Sequence, residues 1–588
     1  MNSTDVGWLP YVKSWVQKRD IEGEKAQLTK LFDEYAEKCI EWIGKNLKTI
    51  CPLPKISQAM STCYILEGIL GNGEAFAIQQ KQMGPEEGPK LLEMYFIYAI
   101  MWGTGGALAI DKGNDLKDSF SKWFKSEFVK YPFPDTPESG SIFEYTVDPE
   151  KVVWQSWNEK LPVYTPQPGI VFGNIYVVTM ETMRLTAILD LVVPYRRPVC
   201  FVGGAGTGKT TIMKDKLRNI DTDVFLTMGI NFNSFTDSMI AQTAMESILE
   251  KKTGRVFGPP GTKKMIYFID DLNMPVVDKY GTQQPIALLR QGFDYEAWYD
   301  RTKLTLKEVH KLQYLSCMNP TAGSFFVDPR LQRSYMTFAV SMPKVEVLKN
   351  IYGSIVKGHF GNGFVPEVVK IAESVVNATI ELHGQVVKQF LPTAVKFHYN
   401  FNLRETSNIF QGLCRSRPTN YGNAISVARL WYHECERVFL DRMITTDDIE
   451  RFSGLLNETN KKYFGELNQE KLNVKPNLFT TFTTPGVDDT DRPYCNISEM
   501  GKLTAIVEDR LKEYNESNPV MNLVMFDQAV EHVCRITRVI DQPRGNALLV
   551  GVGGSGKQSL AKLSSYIVGY ESYQITVTAT YGMNGNTS

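Results

Sequence analysis

No two cysteines in this sequence stand in C-x-x-C spacing, and the nine that occur are scattered from Cys39 to Cys534. That distribution excludes a zinc finger or ribbon, argues against a disulfide framework, and implies a reducing compartment. An excess of charge is missing too. With 64 Lys and Arg against 65 Asp and Glu the net charge is −1, so no overall field recruits nucleic acid, and the basic residues form no face interleaved with aromatics. Long apolar runs are absent. The most apolar stretch, Met94 to Trp102, is bounded by Glu93 and by Gly103, Gly105 and Gly106; it is too short to cross a hydrocarbon core of about 30 Å and reads as a buried helix. No basic segment followed by an apolar one opens the chain. Neither nucleic acid nor membrane is therefore an expected partner. What is present, 588 residues with 43% apolar and 22% charged side chains, is the composition of soluble globular material with room for roughly two to four domains.

A glycine-rich pattern occurs twice, at Gly203 to Thr210 and at Gly551 to Lys557. The separation accommodates a whole α/β core with a helical appendage, which predicts tandem modules: one complete module between parts of two others. Residues 1–132 read as helices, Glu24 to Lys45 and Lys90 to Trp102 among them, and form the expected helical lid of a preceding module. A joint studded with Pro132, Pro134, Pro137, Pro162, Pro166 and Pro168 follows. Residues 133–345 alternate strand and helix: strands at Val199 to Val202, Asp223 to Leu226, Met265 to Ile269, Leu312 to Met318 and Tyr335 to Val340, helices at Lys209 to Leu217 and Asp237 to Leu249. Alternation of this kind predicts an α/β fold, a parallel sheet with helices on both faces. Residues 346–490 read as an all-helical lid, with helices at Pro366 to Gln389, Leu403 to Leu413 and Ile425 to Arg442. Residues 491–588 read as the start of a second core, its first strand at Ala547 to Val550. The residues after Ser559 are too few for an acidic strand, a sensor and a lid, so this module is expected to be incomplete.

Gly203, Gly204, Ala205, Gly206, Thr207, Gly208, Lys209 and Thr210 match G-x-x-x-x-G-K-[S/T] between a strand and a helix. The glycines permit positive φ and turn several N–H groups toward phosphate oxygens, at the positive end of a helix. Lys209 would reach the β- and γ-phosphates and the Thr210 hydroxyl would ligate Mg²⁺. The strand at Met265 to Ile269 ends in Asp270 and Asp271: Asp270 would hold the metal, and Asp271 would polarise water. Its side chain is one methylene shorter than the Glu common at this place, so slow hydrolysis is expected. Asn319 ends a later strand where it would meet the γ-phosphate or the water. Arg330 and Arg333 stand where ring ATPases carry arginines for a neighbour's site, and Arg404 opens a lid helix from which it would reach the γ-phosphate. Plainer explanations exist for each: a glycine-rich turn, two acids closing a turn before Asn273 and Pro275, a turn asparagine, solvated arginines. In the second loop, Gly551, Gly553, Gly554, Ser555, Gly556 and Lys557 repeat the phosphate cradle, but Gln558 replaces the hydroxyl residue and Ser559 follows it.

Taken together, Gly203 to Thr210, Asp270-Asp271-Leu272-Asn273-Met274-Pro275, Cys317 to Pro320, Pro329 to Arg333, Phe401 to Arg404 and Gly551 to Ser559 resemble the third and fourth AAA+ modules of a dynein heavy chain. The form of the two loops is similar to the axonemal class, and Leu304 to His310 with Thr321 to Phe325 is similar to outer-arm β-type chains. The resemblance covers essentially the whole chain and implies a fold of AAA+ P-loop modules with helical lids, ATP or ADP with Mg²⁺ as cofactors, and a regulatory nucleotide site in a ciliary, microtubule-based, minus-end-directed motor. It implies neighbouring AAA+ modules, intermediate and light chains and microtubules as partners, and the axoneme of a cilium or flagellum as location. On this pattern Arg330 and Arg333 serve the preceding module's site, and the arginine for the Lys209 site would come from beyond Ser588. Two other readings stay open: a free-standing tandem ATPase or remodeller, and a non-catalytic assembly piece.

Overall fold

The computed structural model describes residues 7–71, 83–84, 86–111, 113–128, 130, 133, 140–167, 169–321, 327–483, 492–497 and 499–575. Pro132, Pro134, Pro137 and Pro168 of the joint, and 322–325 of the resemblance, lie outside the described residues. Two compact units are present: 1–164 with 176–344, and 165–175 with 345–588.

The first unit is built on strands β1 (Val199–Val202), β2 (Phe225–Asn231), β3 (Lys264–Asp270), β4 (Leu312–Met318) and β5 (Met336–Ala339). They form one sheet in the order β5-β1-β4-β3-β2, parallel throughout. Burial on both faces is what a parallel sheet requires, and the side chains divide by the two-residue period of a strand. Val199, Phe201, Ile266, Phe268, Leu315 and Cys317 enter one core, shared with the N-terminal helices. Cys200, Val202, Met265, Tyr267, Ile269, Tyr314 and Met318 enter the other.

Helices α1 (Lys55–Leu70), α2 (Glu87–Gly105), α3 (Met180–Val192) and α4 (Lys209–Arg218) lie on the first side, and α5 (Ser238–Glu246) and α6 (Gln284–Tyr295) on the second. The expected buried helix at Met94 to Trp102 is the heart of α2. Residues of the expected preceding lid are thus packed into the first unit itself: Trp102 meets Phe338 edge-on at 6.2 Å, the Ala339 N–H donates to Gly106 O at 2.8 Å, and Arg197 forks onto Glu67 at 2.7 and 2.8 Å.

Several expectations are corrected. The edge strand β2 begins two residues later than expected and runs to Asn231. A second sheet, of four short strands in the order Ala297–Tyr299, Leu306–Val309, Val256–Gly258 and Glu250–Lys251, was not foreseen. It is fastened to α5 through Glu246, which accepts from Trp298 Nε1 at 2.7 Å and from Lys307 Nζ at 2.8 Å.

In the second unit, α7 (Val345–Phe360), α8 (Pro366–Gln389), α9 (Leu403–Leu413), α10 (Ala424–Val438) and α11 (Thr446–Phe464) form the expected helical region. It is not all-helical, because Leu478–Thr480 pairs antiparallel with Cys495–Ile497. Helices α12 (Met500–Ser517), α13 (Asp527–Ile540) and α14 (Lys557–Val568) follow. The expected strand at Ala547 to Val550 does not form. Leu548 is 89% exposed and Val550 88%. A parallel strand needs partners on its edges, and among the described residues this one has none.

Glu434 on α10 is fully buried and paired with Arg538 on α13. Arg538 Nε also donates to Glu434 Oε1 at 3.2 Å, and the Tyr494 hydroxyl donates to the same oxygen at 2.8 Å. Removing one partner strands a buried charge, which costs more than replacing both. Arg538→Met is expected to destabilise the second unit by about 3–5 kcal/mol in chemical denaturation, and Glu434→Leu with Arg538→Met by less than half of that.

Candidate functional site

The loop Gly203 to Gly208 leaves β1 at the end of the sheet where β3 and β4 also terminate. Gly206 and Gly208 hold φ of +78° and +90°, a region that glycine enters without strain. Gly203 is required for space: a Cβ there would lie 2.2 Å from Val340 O. At Gly204 the nearest atom to such a Cβ is a methyl of Thr207 at 3.9 Å. Gly208 caps α4, whose first residues are Lys209 and Thr210.

Lys209 is buried, and its ammonium donates to Gly203 O at 2.8 Å, Gly204 O at 2.7 Å and Thr207 Oγ1 at 3.4 Å. The Thr207 hydroxyl in turn donates to Gly204 O at 3.1 Å. Folded across the loop in this way, the ammonium lies at the concave side that the glycine N–H groups line. One residue on, Thr210 Oγ1 donates to both oxygens of Asp270, at 3.0 and 3.3 Å. A hydroxyl and a carboxylate in direct contact, beside a lysine and a helix N-terminus, are the hard oxygen donors that Mg²⁺ takes, so the residues fit a magnesium–nucleotide. Among the described residues no cluster of three or more His, Cys, Asp or Glu could hold a metal ion.

Asp271 follows with φ of +56°, a left-handed backbone that Asp tolerates better than most residues. It side-steps the chain out of the strand, and Met274 N returns to Asp271 O at 3.0 Å. Asn319, one residue beyond β4, accepts at Oδ1 from Thr321 N at 3.1 Å and Thr321 Oγ1 at 2.9 Å. Its Oδ1 therefore closes a turn with Thr321, as the plainer explanation had it. Burial first, then the Asp270 carboxylate, pushes the neighbouring Cys317 thiol well above its usual range, and burial does the same to Cys200.

The arginines stand elsewhere. Arg330 and Arg333 are exposed on and just after the short helix Pro329–Gln332, where Asp328 caps the Arg330 N–H at 2.9 Å and Arg333 pairs with Asp294 of α6 at 3.3 Å. No hydrogen bond or ion pair joins them to the loop among the described residues. Arg404 is exposed in the first turn of α9, in the second unit.

The second loop reproduces the first atom for atom. Lys557 donates to Gly551 O and Val552 O at 2.6 Å each and to Ser555 Oγ at 3.2 Å, and Ser555 donates to Val552 O at 2.9 Å. Gly554 and Gly556 both hold φ of +77°. The loop is solvent-exposed at Gly551, Gly553, Gly554 and Ser555, Gln558 is exposed, and Ser559 is half-buried. The lock made by the fifth loop residue, Thr207 or Ser555, was missed in the sequence, although the hydroxyl recurs at the same place in both loops. So was Asn273, a buried side chain taken only for part of a turn.

A five-stranded parallel sheet that delivers a glycine loop, a lysine, a hydroxyl and an acid to one end defines a P-loop module of the AAA+ class. Residues 164–343 match the family described as "P-loop containing dynein motor region", 28–159 the "Dynein heavy chain AAA lid domain", 375–474 the "AAA+ lid domain" and 521–586 the "P-loop containing dynein motor region D4". The chain is 46% identical to the flagellar outer-arm dynein beta chain of Chlamydomonas reinhardtii and to the ciliary dynein beta chain of Tripneustes gratilla, and 44% identical to human dynein axonemal heavy chain 17. Each alignment covers 99% of this chain and 13% of the relative. The chain belongs to the dynein heavy-chain family, among axonemal relatives, and spans about an eighth of their length.

Steric need at Gly203 and its absence at Gly204 give a contrast within one loop. Gly203→Ala is expected to lower stability by about 2–3 kcal/mol, read by thermal unfolding without nucleotide, whereas Gly204→Ala stays within about 0.5 kcal/mol of the parent.

Proposed function

We propose that the loop at Gly203 to Thr210 binds ATP or ADP with Mg²⁺ and acts as a regulatory nucleotide site within an axonemal dynein heavy chain. The observation that carries this reading is the direct contact of Thr210 with Asp270 beside the buried Lys209. On nucleotide entry the Lys209 ammonium exchanges its loop carbonyls for β- and γ-phosphate oxygens, a substitution of one set of acceptors by a more highly charged one. Thr210 and Asp270 would hold the metal, whose charge would offset that of the phosphates. Asp271 takes a proton from water inefficiently, being short. Asn319 donates its amide to the γ-phosphate.

Arg330 and Arg333, exposed and joined to this loop by no hydrogen bond or ion pair among the described residues, are assigned to a neighbouring module's site, and Arg404 keeps the γ-phosphate role that its place in Phe401-Asn402-Leu403-Arg404 gives it. The second loop, Gly551 to Ser559, is assigned a phosphate-binding role with Ser559 in place of the missing hydroxyl at Gln558. The segments 1–132, 133–345, 346–490 and 491–588 are assigned as lid, core, lid and the start of the next core. The intact heavy chain would place this site in ciliary, microtubule-based motility in the axoneme, with neighbouring AAA+ modules as immediate partners and intermediate and light chains as partners of the assembly.

The test is nucleotide titration by calorimetry. Lys209→Ala is expected to weaken Mg·ATP binding to the first loop by about tenfold to a hundredfold, with Lys557→Ala leaving that binding event in place. Turnover by the chain alone is expected to be slow; brisk hydrolysis that disappears in Lys209→Ala would contradict that part of the reading.

A further inference from the structure

The two β4 ladders both stop short of Asn319. The rungs to β3 end at Ser316 opposite Ile269, and those to β1 at Met318 opposite Val202. One more backbone bond follows on each side, Leu272 N to Cys317 O at 3.0 Å and Gly203 N to Met318 O at 3.2 Å. At the next position a side chain replaces the ladder: Asn273 Nδ2 donates to Asn319 O at 2.8 Å. Asn273 is 1% exposed and stands two residues after Asp271, whose left-handed φ brings the chain to this place. One amide therefore bridges the loop carrying the acids to the main chain of Asn319. Thr321 fixes the same asparagine from the other side, through its Oδ1.

We propose that Asn273 is a positioning residue for γ-phosphate recognition. By holding the Asn319 carbonyl it sets where the Asn319 NH₂ is presented, and it keeps that donor in register with Asp270 and Asp271. The inference rests on the proposed nucleotide site and adds to it the group that makes the site distinguish a triphosphate from a diphosphate. The residue type follows from the geometry. A donor is needed opposite a carbonyl; a carboxylate of the same size would set oxygen against oxygen, and an apolar side chain would leave a half-buried carbonyl without this partner.

The experiment uses the full chain and compares Mg·ATP with Mg·ADP affinity in the parent, Asn273→Ser, Asn319→Ala and the double variant. Asn273→Ser is expected to leave ADP affinity within about twofold and to weaken ATP by about tenfold, the worth of one misplaced hydrogen bond to a charged group. The double variant is expected to bind ATP no more weakly than Asn319→Ala alone, since both changes remove one contact. Equal weakening of ATP and ADP, an unchanged ATP affinity, or losses that multiply in the double variant would overturn the role. If Asn273→Ser does not fold, Thr321→Ala on the exposed side of the same asparagine decides the question: a lowered ATP-to-ADP preference of about threefold supports the role, and an unchanged preference overturns it. A parent chain that binds neither nucleotide overturns the proposed function along with this inference, whereas the other adverse outcomes overturn the inference alone.

Discussion

A parallel strand buried on both faces cannot exist alone, and the first site depends on that constraint. Strand β1 lies between β5 and β4, with all four of its residues buried. Its neighbours fix where it ends, and the loop that leaves it starts level with the ends of β3 and β4. Lys209, Thr210, Asp270 and Asn319 come from segments far apart in the sequence, and nothing local brings them together. The sheet does so by aligning the strand ends on one edge, where α/β proteins bind their ligands. The tight contact of Gly203 with Val340 O belongs to the same constraint, because it is made where the chain beyond β5 passes the mouth of the loop.

The second loop separates what is local from what is not. Its lysine, hydroxyl and glycines adopt the conformation of the first loop although the preceding segment, Ala547 to Val550, forms no strand and exposes Leu548 and Val550. The nest of N–H groups is therefore encoded by about eight consecutive residues: positive φ at two glycines, a helix start, and a lysine that folds back on the carbonyls. The acid opposite the hydroxyl is encoded elsewhere in the chain and arrives only with a sheet.

That division also decides what could be read from sequence. The strands β1, β3, β4 and β5 were legible because short continuous apolar runs such as Met265 to Ile269, bounded by turn residues, are the pattern of strands buried on both faces. Helices α8 and α9 were placed to the residue, since Pro366 and the Asn402–Glu405 capping box mark where they start. Strand β2 was half missed because, as an edge strand, it carries Thr227, Gly229 and Asn231 and is buried throughout on neither face. The accessory sheet was missed because its strands have two to four residues with charges among them, and its order is set by Glu246, Trp298 and Lys307, contacts that no window of sequence contains. Among the site residues, the loop and the acid pair follow from motif and strand end. Asn273 did not, because a buried asparagine after two aspartates has the same local pattern as a turn, and only the distance to Asn319 O tells them apart.

The two loops differ least where phosphate would be held and most where metal would be held. Both lysines make the same three contacts, within a few tenths of an ångström. The next residue is Thr210 in one, bonded to both oxygens of Asp270, and the exposed Gln558 in the other. An amide oxygen carries no proton to donate to a carboxylate and stands on a longer side chain, so Gln558 does not reproduce a hydroxyl packed against a carboxylate. Phosphate affinity follows largely from the nest and the lysine, which are common to both, whereas control of the metal requires the hydroxyl, the carboxylate and the sheet between them. Within the described residues the lysine-locked glycine loop occurs twice and the hydroxyl–carboxylate contact once, so on the proposed reading only the first loop combines the groups for phosphate with those for metal.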